Sequence, residues 1–68
     1  MINISDLEKT LEIGQHLEVG GVVLDIETIS VLLLIYYTLT APHLKEKFVR
    51  MLNNEAERLI EFCYSQLI

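Results

Sequence analysis

Cysteine and glycine are scarce in this chain and tryptophan is absent, and each of the first two shortages removes a class of protein from consideration. One cysteine, Cys63, permits no intrachain disulfide, and together with two histidines it makes no spaced zinc motif. No glycine-rich phosphate loop or dinucleotide fingerprint occurs. Cations are few as well: five against ten carboxylates, a formal charge of −5, which disfavours nucleic acid and anionic lipid as partners. The first ten residues, MINISDLEKT, contain no basic stretch leading into an apolar core, so no secretory signal is expected, and the single free thiol suits a cytoplasmic location.

What the chain has is apolar side chains, 51% of its residues. That suffices for one small domain, residues 1–68. Chains of this size bury only about 60% of their unfolded surface and need staples or a covering partner. With no disulfide and no metal motif, that cover has to come from packing. The densest stretch is Val31 to Leu39, VLLLIYYTL. The uncharged run around it, Thr28 to Pro42, is shorter than the roughly 17 to 25 residues of a membrane-spanning helix, and its N-terminal extension meets Glu27 and Asp25. A segment buried in protein is the expectation.

Capping and periodicity predict an all-α, three-helix, up-down-up fold, a helix hairpin with a short N-terminal helix. Ser5 and Glu8 have the spacing of a capping box, opening a helix from Asp6 to Leu17 in which Gly14 is either tolerated or admits another backbone. Gly20-Gly21 fits either a β-hairpin or a helix–helix turn. Short flanks and the want of a third strand favour the turn, followed by a helix from Val22 to Thr40. After Pro42, the residues Leu44, Phe48, Leu52, Ala56, Leu59, Cys63 and Leu67 advance in steps of three and four as one seam, widened by Met51, Ile60 and Phe62. Asn54 with Glu57 offers a second capping box and hence a break, but the unbroken seam favours one continuous helix. Up-down-up packing would set Asp6 and Glu8 beside Lys45, Lys47 and Arg50, and Arg58 level with Asp25 and Glu27.

Helices 1 and 3 can shield at most two sectors of Val31 to Leu39, so a second copy is expected to complete a larger bundle. The expected interface comprises Val31, Leu34, Ile35 and Tyr37 from helix 2 with Phe62 and Tyr64 from helix 3. Chemistry is thinly represented. His43 and Glu46 stand three apart without a second ligand pair, and Glu12 with His16 forms an ordinary surface helix pair. Cys63 lies on the apolar seam with no base near it in sequence. No cofactor or metal is therefore expected. The pattern fits a self-associating helical interaction module, acting as an adaptor or a regulatory or inhibitory subunit. The alternative is a small enzyme or ligand-binding protein whose site is assembled between subunits from carboxylates such as Glu57 and Glu61.

Overall fold

Asn3 starts the first helix, α1 (Ile4–Ile13), in the computed structural model, which describes residues 1–67. Its side-chain oxygen accepts from the Asp6 N–H at 3.0 Å, while the Asp6 carboxylate accepts from the Asn3 N–H at 2.9 Å. The capping box is thus Asn3/Asp6 and not Ser5/Glu8. Ser5 is inside the helix and donates its hydroxyl to the Asn3 side chain at 2.8 Å. Gly14 ends the helix at φ 70°: its N–H donates to the Leu11 carbonyl and that of Gln15 to Thr10, the pairing of a Schellman motif. The expected continuation to Leu17 is lost there. Nothing lies within 4 Å of a Cβ built at Gly14, so backbone conformation and not close approach accounts for the glycine.

The segment after α1 corrects the expected helix–helix turn. Strands β1 (Leu17–Val19) and β2 (Val22–Leu24) pair antiparallel, with Val19 opposite Val22 and Leu17 opposite Leu24. Gly20 and Gly21, at φ 54° and 80°, supply the two positive angles of a tight hairpin turn. An isolated two-stranded hairpin is marginal in water. This one alternates correctly for a covered sheet: Glu18 and Val23 face solvent, while Val19 and Leu24 are buried against the helical core. Helices supply the shelter that a third strand would have given.

Helix α2 (Ile26–Thr38) begins four residues later than its apolar pattern suggests, because Asp25 caps it by accepting from the Thr28 N–H at 2.8 Å. That hydrogen bond holds the Asp25 carboxyl below its ordinary range. Helix α3 (Pro42–Asn54) opens on Pro42 with Ala41 as an N-cap that provides no side-chain bond. The expected continuous third helix then breaks. Asn53 and Asn54 turn their side-chain amides back to the carbonyls of Val49 and Arg50, both at 2.9 Å, and Glu55 leaves helical geometry at φ −143°, ψ 53°. Asparagine competes with the backbone in this way and weakens a helix interior. Glu55 accordingly precedes α4 (Ala56–Ser65), without the Asn54/Glu57 box. Among the described residues the result is four helices and a hairpin, a mostly helical fold in place of three helices.

Packing runs α1 against α2, α2 against α4 and β2, and α3 against α4. Leu7, Leu24, Ile29, Leu32, Leu52, Leu59 and Cys63 are fully buried at its centre, and no buried side-chain polar atom among the described residues lacks a partner. Asn53 ties the chain's start to the end of α3: its amide oxygen accepts from the Ile2 N–H and its nitrogen donates to the Ile2 carbonyl, each at 2.8 Å. The apolar run is covered largely from within. Leu32, Leu33 and Ile35 are buried, Val31 and Tyr36 half-buried, and Leu34 and Tyr37 exposed. α1, α4 and β2 all pack on α2. Among the described residues, no helix is long and apolar enough to cross a membrane.

Candidate functional site

The break at Glu55 folds the long apolar seam back on itself, and an open groove of about 370 Å³ lies between the two halves. Leu44, Phe48 and Met51 line it from α3, at the i, i+4, i+7 spacing of one helix face. Leu59 and Phe62 line it from α4, and Leu39 from the connection after α2. Phe48 and Leu59 are buried floor, whereas Leu44 and Phe62 are 41% and 49% exposed. Lys47 and Arg58 complete the lining, and among the described residues no carboxylate belongs to it. In an adjoining hollow, Lys47 and Arg58 meet Arg50 and Glu55, the last paired to Arg58 at 2.8 Å.

The charge pairings expected from an up-down-up bundle are replaced by other contacts. Arg58 pairs within its own turn with Glu55, the only ion pair among the described residues, and not with Asp25 or Glu27. Glu8 accepts from the Tyr37 hydroxyl at 2.8 Å, and that bond pushes the Tyr37 phenol above its usual value. Lys45 sits with its ammonium 4.4 Å from the centre of the Tyr36 ring, which meets Tyr37 and Phe48 edge-to-face at centroid distances of 5.3 Å. A cation over a ring face is attracted by about 0.5 to 1 kcal/mol at an exposed site. The corner where α2 turns into α3 is therefore aromatic and cationic, with Glu8 of α1 at its edge.

The six expected interface residues are scattered over different surroundings. Phe62 lines the groove. Leu34 and Tyr37, each 56% exposed, lie on the outer side of α2, and Val31 is half-buried at its margin. Ile35 is buried within the chain, so a substitution there perturbs the core before any second copy. Tyr64 is half-buried, its hydroxyl 3.3 Å from that of Thr28 across the α2–α4 contact. The groove residues Leu39, Lys47 and Arg58 were legible as a possible site only with the break at Glu55 in hand. Leu44 and Met51 belong to the seam and read as core.

The chemically capable groups are dispersed. His43 and Glu46 are exposed on α3, and Glu57 and Glu61 on α4, with Glu57 lining a shallow cleft against Gly20 and Gly21. Among the described residues no three His, Cys, Asp or Glu side chains are grouped to hold a metal ion. Cys63 is fully buried, and burial pushes its thiol from 9.0 up to about 11. Because the fold favours the neutral thiol, its contribution to stability is intact below pH 9.0 and drains away as pH rises toward about 11. Native protein at pH 8 is expected to resist iodoacetamide, with labelling that rises in step with urea unfolding. Alkylation of the native chain at the rate of a free thiol would contradict this placement. No protein-family model matches the chain, and no curated protein or solved structure matches it at a significant level.

Proposed function

We propose that this chain is a small helical protein-interaction module that self-associates, serving as an adaptor or as a regulatory or inhibitory subunit. The observation that carries this reading is where apolar surface remains once the core has closed. Leu34 and Tyr37 on α2 and Phe62 on α4 stay about half exposed although the chain packs a complete core without them. Single exposed apolar residues need no explanation, whereas aromatics such as Tyr37 and Phe62 on packed helices are among the residue types enriched at protein interfaces.

A twofold dimer through the outer side of α2 is the proposed form of self-association. Ile26, Ser30, Leu34 and Tyr37 succeed one another there at helical spacing, and all four are exposed. An ordinary dimer buries roughly 800 Å² on each partner. Against a total surface of 4541 Å², such an interface takes a whole face of the molecule, so Val31 at the edge of the stripe joins it.

Light scattering coupled to size exclusion tests the dimer. Twice the chain mass is expected at micromolar concentration. Leu34→Glu is expected to give monomers of unchanged helix content, because the new carboxylate stays solvated in the monomer and loses its water in the dimer. A wild-type monomer mass that persists as the sample is concentrated would overturn self-association.

A further inference from the structure

We propose that the groove between α3 and α4 receives an amphipathic helix of another protein whose apolar stripe is flanked by acidic residues. This rests on reading the chain as an interaction module, but on a different surface from the dimer face of α2. The groove's form points to a helix. Leu44, Phe48 and Met51 span two turns, about 10 Å, which a guest helix matches with three side chains at the same spacing. The groove is built between two helices that satisfy their own backbone groups, so it offers no strand edge to an extended peptide.

Charge selects the guest's flanks. The chain carries −5 overall, yet four of its five cations, Lys45, Lys47, Arg50 and Arg58, fall in α3 and the first turn of α4. Lys47 and Arg58 border the groove and Arg50 adjoins it; Glu55, paired to Arg58, is the one carboxylate among the described residues of that hollow. Charges of one sign around an apolar centre steer and orient a partner of the other sign.

A second copy of the chain is a poor occupant. Groove-to-groove pairing about a twofold axis would set Lys47 and Arg58 against their own images, a like-charge arrangement that works against association. The chain's acidic helix, α1, cannot serve either. Its Leu7 is fully buried in its own core and Leu11 is half-buried, which leaves Glu8, Lys9, Glu12 and Ile13 on the outer side.

The test uses two fluorescent synthetic peptides with leucines at i, i+4 and i+7, one flanked by glutamates and the other by lysines at the same positions. Titrated with the full chain, the acidic peptide is expected to bind at least about tenfold tighter, and to weaken as salt is raised. It should shift the methyl resonances of Leu44 and Met51. Lys47→Glu combined with Arg58→Glu, both at exposed positions, is expected to reverse the order of the peptides while circular dichroism and the mass in solution stay unchanged. That unchanged mass separates failure here from failure of the dimer. Equal affinity for the two peptides, binding of neither, or shifts confined to residues outside the groove would overturn the proposal. So would Leu44 and Met51 methyl shifts on concentrating the chain alone, which would mark a second copy in the groove, or binding of anionic phosphatidylserine vesicles in place of the acidic peptide.

Discussion

Truncation of Leu52 or Leu59 to alanine is expected to bring the chain to the edge of unfolding. Both side chains are essentially inaccessible, at 0% and 1% exposure, and they belong to the two halves of the broken seam, α3 and α4. A leucine-to-alanine change in such a site loses the transfer energy of the removed groups and leaves a cavity, at about 2 to 5 kcal/mol. A chain of this length has a total stability of roughly 3 to 10 kcal/mol. Urea titrations of Leu52→Ala and Leu59→Ala are expected to show midpoints far below the parent, or no folded baseline. Midpoints equal to the parent's would mean that these residues do not face the core.

Replacing both turn glycines with valine is expected to unseat the hairpin. Gly20 and Gly21 occupy positive φ, where a β-branched side chain is strained by about 1 to 3 kcal/mol at each position whatever room surrounds it. There is room here, so the cost would be conformational and not steric against neighbours. The strands bury Val19 and Leu24, and their loss would open the core beside α2. Gly20→Val with Gly21→Val should therefore lower the melting temperature far more than alanine in place of the exposed Val23. A double variant as stable as the parent would show that residues 17–24 do not form this turn.

Much of the helical character was legible in the chain, while its connections were not. The stripe through Phe48, Leu52, Ala56, Leu59 and Cys63 marks buried positions correctly, since burial of a helix face leaves a 3.6-residue period whether or not the helix is continuous. For the same reason the period cannot report the break. Asn53 and Asn54 carried a signal, but it reads equally as a cap, and only the back-bonding to Val49 and Arg50 separates the two. Gly20-Gly21 admitted a hairpin, but its short flanks and the want of a third strand weighed toward a helix–helix turn. What the residues could not display was its shelter, because the helices that bury Val19 and Leu24 are brought there by tertiary packing.

The candidate site was hidden by the same ambiguity. Leu44 and Met51 read as core because they share the seam's spacing, and a fold-back leaves the seam's edge open where a straight helix in a bundle would close it. Of the expected interface residues, Phe62 alone belongs to this groove. Leu34 and Tyr37 remain available to the proposed dimer, while Ile35 is taken up by the chain's own core.

The groove exists only if α4 folds back along α3, and the distance between positions 44 and 62 tests that directly. Spin labels can be attached at Leu44→Cys and Phe62→Cys, with the buried Cys63 left in place, and the labelled chain diluted in unlabelled protein so that only intrachain distances are read. A continuous helix would hold the two positions about 27 Å apart, eighteen residues at 1.5 Å each. A single distribution well short of that value is expected, because both side chains line one groove. A distribution centred near the straight-helix distance would contradict the fold-back, and with it the groove and the partner proposed for it.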